Sequence, residues 1–397
     1  MNDLQSSRAL GSSLGPDLSS RNRSRFVRVA SATGLGLVLG LPACLQAQHY
    51  LQTNLVSDVP GLAAATDPDL VNAWGLSRSA TSPWWVADNG TGLSTLYNGA
   101  GAKQGLIVTI PPATGGDTPS APTGTVFNAS SDFKFGPNNT PARFLFATED
   151  GSISAWAGGA AATRVVDLPG QAVYKGLTLA QSNGVNRLYA ANFMTNAVDV
   201  FDAAFQPVNL GSNAFRDHKL PKHYSPFNVQ TIGNLVFVTF AKHEDGELDE
   251  TAGAGLGFVD AFTPEGVLQM RLQSGPWMNA PWGVAWAPAD FGKFSDTILV
   301  GQFGSGKIAA FNPKNGHFRG LVRGEHGRPI RIEGLWALSF GGGDASASGP
   351  ANSLYFSAGI DDEAHGLFGT ITALPKDHHK GKDCDRDGDD DDDDNRD

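Results

Sequence analysis

The densest run of metal-ligating and proton-transferring side chains before the C-terminal end is Asp361-Asp362-Glu363-Ala364-His365. An imidazole beside three carboxylates either binds a metal or exchanges protons with them. The alternative is an exposed acidic turn with His365 hydrogen-bonded inside it. Glu333 and Asp361 are the carboxylates that would act as a general base if burial among like charges raised them. Glu333, Glu149, Asn192 and Asp88 form an oxygen-donor set of the kind Ca²⁺ or Mg²⁺ takes. Asp and Asn are equally ordinary turn residues, and Glu333 has a ready partner in Lys175. Trp74, Trp282 and Trp336 with Phe227 make either an aromatic platform for a flat ligand such as a sugar, or core filling.

Two motif matches carry no chemistry. Gly301-Gln302-Phe303-Gly304-Ser305-Gly306-Lys307 has the spacing of a phosphate-binding loop. However, Ile308 stands where Ser or Thr is needed, and a strand pattern follows where a helix N-terminus is required. Asp383-Cys384-Asp385-Arg386-Asp387-Gly388, with Asp394 at the twelfth position, copies the start of a calcium loop. A polyaspartate run generates such matches without the helices that shape the loop. His218, His223, His317 and His326 lack ligand spacing, and no Ser-His-Asp elbow or cysteine centre is found.

These residues sit on a repeat. Short apolar strands open on Trp74-Gly75-Leu76, Thr123-Gly124-Thr125, Lys175-Gly176-Leu177, Phe227-Asn228-Val229, Trp282-Gly283-Val284 and Glu333-Gly334-Leu335, their central residues 49, 52, 52, 55 and 51 apart. A strand-and-turn repeat of about 50 residues marks a radially repeated sheet protein. Further strands follow in each repeat at β-branched and aromatic runs bounded by Gly, Pro, Asn and Asp. Four strands in each of six repeats predict an all-β, six-bladed β-propeller. The sixth repeat runs out after three strands, near Leu374, while residues 50–56 read as an unpaired strand. That N-terminal strand is expected to pair in the last blade and close the ring. Trp74, Thr123, Lys175, Phe227, Trp282 and Glu333 would then crowd one mouth of the central channel. Insertions at residues 111–122, 242–255 and 341–351 are either binding loops on a rigid ring or surface decoration.

The ends differ from the middle. Arg8, Arg21, Arg23, Arg25 and Arg28 precede an apolar run over 29–41 and then Pro42-Ala43-Cys44-Leu45-Gln46-Ala47. This pattern reads as a secretory signal peptide over 1–47, too short for a membrane span, with lipoprotein processing at Cys44 as the alternative. The product would be secreted or periplasmic. With Cys44 and Cys384 as its two cysteines, the chain has no disulfide framework. Between 48 and 375 lie 19 basic and 27 acidic residues, which argues against a nucleic-acid partner. Residues 376–397 are nearly pure Asp after Lys376-Asp377-His378-His379-Lys380 and read as a disordered acidic tail outside the fold.

Residues 67–76 (Asp-Pro-Asp-Leu-Val-Asn-Ala-Trp-Gly-Leu), 279–284 (Asn-Ala-Pro-Trp-Gly-Val) and 358–369 (Ala-Gly-Ile-Asp-Asp-Glu-Ala-His-Gly-Leu-Phe-Gly) resemble a bacterial conserved-hypothetical family of secreted propellers. Some of its members end in a PEP-CTERM sorting signal; this chain carries the Asp run instead. The resemblance spans about 50–375 and implies a propeller of the NHL or YVTN type and export, and it transfers no catalytic residue. The expected function is a monomeric binding or scaffold module that takes a protein, glycan or small ligand at one face through Trp74, Lys175, Trp282 and Asn192. The alternative is a metal-dependent, lactonase-like hydrolase or lyase at the channel mouth, with Ca²⁺ as its cofactor.

Overall fold

A computed structural model describes residues 49–375. The expected signal peptide over 1–47, its Cys44 alternative and the expected disordered tail over 376–397 lie outside the described residues.

Six main sheets, built on antiparallel pairs, succeed one another along the chain, with a two-stranded hairpin of Lys134–Phe135 and Thr140–Pro141 set within the second. Blade one holds Ala73–Ser77, Trp84–Asp88, Leu93–Tyr97 and Val108–Thr109; blade two holds Pro122–Phe127, Phe144–Thr148, Ser152–Trp156 and Thr163–Asp167. Blade three has three strands, Tyr174–Ser182, Val185–Asn192 and Ala197–Phe201. Blade four holds Tyr224–Ile232, Leu235–Lys242, Phe258–Phe262 and Leu268–Arg271; blade five holds Pro281–Trp286, Ile298–Gln302, Ile308–Phe311 and Phe318–Leu321. Blade six contributes Leu335–Phe340, Leu354–Ile360 and His365–Ala373. The innermost strands of successive blades touch, and that of blade six meets that of blade one. The fold is the six-bladed β-propeller expected, and the single helical element described is the 3₁₀ turn Gly292–Phe294.

Burial on both faces dictates the strand sequences. Phe144–Thr148 is buried at every position, so it reads as a continuous apolar run rather than an alternating one. Between blades the side chains form seams: Leu145 and Ile153 of blade two pack with Leu177, Leu188 and Phe201 of blade three. Leu299 and Ile308 of blade five pack likewise with Leu338 and Phe356 of blade six. Each such side chain contributes about 1.5–3 kcal/mol on burial.

Ring closure follows the sequence reading. Tyr50–Ser57 pairs antiparallel with His365–Ala373, from Tyr50↔Ala373 to Ser57↔Leu367. Tyr50 is buried, and its hydroxyl donates to Phe291 O at 2.9 Å and accepts Phe294 N–H at 3.0 Å. The closing strand is therefore anchored to blade five as well as blade six.

A shared irregularity fixes the register of the repeat. In every blade the pairing of first and second strands slips at the ring position: between Ala73 and Leu76, Tyr174 and Gly176, Pro226 and Asn228, Pro281 and Val284, Leu335 and Leu338, and opposite it between Phe146 and Thr148. A bulge re-aims the side chain beside it. Aligning the six bulges places Trp336-Ala337-Leu338, not Glu333-Gly334-Leu335, at the ring position of blade six. The expected register there is three residues early, and Glu333 leaves the ring.

Candidate binding site at the channel mouth

The ring positions Gly75, Gly124, Gly176 and Gly283 each press on the next blade so closely that an added Cβ would fall inside 3.0 Å of its atoms. Asn228 replaces glycine in blade four, and its Nδ2 donates to Trp282 O at 2.9 Å. The waist these residues line encloses about 30 Å³, room for one water molecule.

Above the waist, the residues that the bulges turn toward the axis form a plug. Trp74, Phe227, Trp282 and Trp336 are buried in one cluster with Phe193 and Phe303 packed among them. Trp74 stacks on Trp336 with centroids 3.6 Å apart, and Trp282 meets Trp74 edge-on at 6.2 Å. The indole faces are spent on one another, so the aromatic residues fill the core. Trp282 Nε1 donates to Lys175 O at 3.0 Å and Trp336 Nε1 donates to Asn72 Oδ1 at 3.1 Å, while Trp74 Nε1 is buried without a partner among the described residues.

Lys175 caps this plug. It is 2 % exposed, and its ammonium lies 5.4 Å over the Trp74 ring and 5.8 Å over Phe193. Nζ donates to Glu149 Oε1 at 2.5 Å and to Asp249 Oδ1 at 2.9 Å. Burial alone would lower the lysine pKa, but Glu149, Asp249 and Glu250 outweigh it and hold the group above its ordinary value. The network then runs across the mouth. Asn89 Nδ2 donates to Glu149 Oε2 at 3.0 Å, and Asn72 Nδ2 donates to Asn89 Oδ1 at 3.2 Å and to Glu363 Oε2 at 2.7 Å. Blades one, two, three, four and six thus meet over a single ammonium.

Negative charge is in excess. Burial pushes Glu250 up to about 7 despite Lys175, and Glu363 and Asp249 push the same way. Burial likewise raises Glu363, opposed by the Asn72 hydrogen bond and reinforced by Glu149. Glu363 reaches the mouth through a strained turn, since Asp361, Asp362 and Glu363 have φ of 53°, 54° and 67°. Left-handed backbone without glycine costs about 1–2 kcal/mol per residue, least at the two Asp residues.

The residues singled out in the sequence scatter. Glu149 and Lys175 lie in the network, but Lys175 pairs with Glu149 and Asp249 rather than with Glu333, which the register correction carries to an exposed position. Asp88 is wholly buried in blade one, with Oδ2 accepting Thr95 N–H at 2.9 Å, and burial raises its pKa well above the ordinary range. Asn192 donates to Asp199 Oδ2 at 2.8 Å. Asp361 and Asp362 are exposed. His365 pairs with Asp58 Oδ2 at 2.6 Å, not with its own turn, because the closing N-terminal strand brings Asp58 beside it; that hydrogen bond raises its pKa. Among the described residues, no three His, Cys, Asp or Glu side chains are grouped to hold a metal ion. Asn72, Asp249 and Glu250 were not singled out as site residues. Asp249 and Glu250 nevertheless lie in the 242–255 insertion read as a candidate binding loop, and Asn72, two residues before Trp74, is a polar side chain at the bulge.

No family model matches the chain. Uncharacterized protein L690 of Acanthamoeba polyphaga mimivirus is 32 % identical over 336 residues, covering 80 % of this chain and 84 % of that protein. Uncharacterized protein R648 of the same virus is 30 % identical over 335 residues, covering 80 % and 78 %. Among solved structures, a streptogramin B lyase superposes with a TM-score of 0.47 at 14 % identity, over 82 % of this chain and 98 % of that one. A gluconolactonase from Xanthomonas campestris gives 0.41 at 13 % identity, over 82 % and 98 %.

Proposed function

The chain belongs to the family of the mimivirus proteins L690 and R648, and from that premise we propose that it is an exported binding module whose propeller mouth takes a ligand bearing an ammonium or guanidinium group. The observation that carries this reading is the imbalance at the mouth. Glu149, Asp249, Glu250 and Glu363 act on one another there around a single buried ammonium. Burial is the main cause that raises Glu250 and Glu363, with like-charge repulsion adding to it, and a further cation would offset both. Export is supported by the basic stretch, apolar run and small residues of the first 47 positions.

Calorimetric titration of the mature chain with a hexalysine peptide tests the reading. Saturable binding should weaken at least about tenfold in the double variant Glu149→Gln, Glu363→Gln. The aspartate tail is common to both proteins and cancels in the comparison. Equal affinity in a folded double variant would refute the mouth as the site.

A further inference from the structure

Among the described residues blade three lacks an outer strand, and the gap can be located to one residue. Pairing with the second strands aligns Val198 of blade three with Ser94, Ile153, Val259, Ile308 and Phe368 of the other blades. Each of those five has an outer backbone neighbour. Ser94 pairs with Val108, Ile153 with Val166 and Phe368 with Val56 of the closing strand. Val259 O accepts Leu272 N–H at 2.9 Å, and Ile308 O accepts Val322 N–H at 3.0 Å. Blade three begins the same way, with Val200 O accepting Val208 N–H at 2.7 Å. Beyond Val208 the chain leaves the edge. Because Val200 points its carbonyl outward, Val198 two residues earlier points its N–H and C=O outward too, and neither has a partner among the described residues. A crevice of about 440 Å³ opens beside it, walled by Leu168, Val198, Val200, Leu210, Ala214 and Phe215.

We infer that this vacancy is a strand-addition site, occupied by an extended segment of a partner protein with an apolar residue directed into the crevice. Main-chain hydrogen bonds to an open edge supply affinity, and the adjoining pocket supplies side-chain preference. The molecule already uses the device once, since blade six is completed by a strand from the far end of the chain. A flexible segment is the fitting occupant, because the edge is recessed between Leu168 of blade two and the 208–216 segment. The blade-three edge of a second propeller, recessed in the same way, would not enter.

Hydrogen exchange on the mature full-length chain provides the test, with the synthetic hexapeptide Thr-Arg-Val-Val-Asp-Leu, copied from residues 163–168, as probe. Free protein should exchange the Val198 amide at least about 100-fold faster than the Ile153 amide. Saturating peptide should slow Val198 at least tenfold, and the same peptide methylated on its backbone nitrogens should leave it unchanged. Ala214→Phe, which fills the crevice, should abolish the effect; if that variant fails to fold, the methylated peptide still decides. A Val198 amide unaffected by peptide overturns the inference. So does protection through dimerisation, or protection in free protein that vanishes when residues 376–397 are removed, either of which assigns the edge to another occupant.

Discussion

Glu250 couples the mouth to pH. Its carboxyl stands at about 7 against an ordinary 4.5, with burial as the largest cause, Lys175 opposing it, and Glu363 and Asp249 reinforcing it. Between pH 4.5 and 7 the folded chain therefore holds a proton that the unfolded chain has lost. Stability from this group falls as pH rises through that window, and the cost is complete above 7. Glu250→Gln removes the charge and keeps the shape. Its Tm should exceed that of the parent by on the order of 2 °C at pH 8, with no difference at pH 4. A variant less stable than the parent at pH 8 would show that the carboxylate is stabilised by Lys175 more than burial opposes it. The sequence placed this residue in the 242–255 insertion, a candidate binding loop, but not its partners. Its partners Lys175 and Glu363 come from blades three and six, and nothing local in the chain announces that they meet.

At the scale of the strand, the waist glycines are the most demanding positions. A Cβ on Gly124 would fall inside 3.0 Å of Leu177 N and of the Gly176 backbone, and backbone cannot move aside as a side-chain tip can. Gly124→Ala should destabilise the protein by about 3 kcal/mol or more, read as a lower urea midpoint at unchanged slope. Blade six supplies the control, since Ala337 already occupies the matching position. Ala337→Gly should cost about 1 kcal/mol or less. A tolerated Gly124→Ala would mean that the blades are not pinned at the axis. These glycines also explain how far the repeat was legible. Their spacing announced six blades and placed five ring positions correctly, four of them because glycine is the residue this close approach requires and the fifth, Asn228, by its spacing from them. It failed in blade six, where Ala337 fills the ring position and Gly334, with φ 59°, serves the preceding turn. The two tripeptides fit the same sequence template and differ only in which one faces the neighbouring blade.

The ring as a whole depends on a contact between its two ends. His49 O accepts Leu374 N–H at 2.9 Å, and Tyr50–Ser57 supplies the outer strand that His365–Ala373 would otherwise present as an open edge. Removing residues 49–57 would strip Tyr50 and Val56 from two buried clusters and bare a nine-residue edge strand, the exposure that drives aggregation. The ring closes through pairing rather than through covalent continuity, so the order of the chain should be dispensable. A circular permutant joining residue 375 to residue 49 by a short linker makes the closing strand continuous with its partner. New ends can be placed between Gly158 and Gly159, where an added Cβ would meet no atom within 4 Å. This permutant should fold with a Tm within about 5 °C of the parent, whereas the version lacking 49–57 should not give a soluble cooperative protein. If the deletion melts as the parent does, closure contributes nothing and the five remaining inter-blade seams carry the fold. If the permutant fails while the parent folds, the free N-terminal strand must dock last for the blades to assemble.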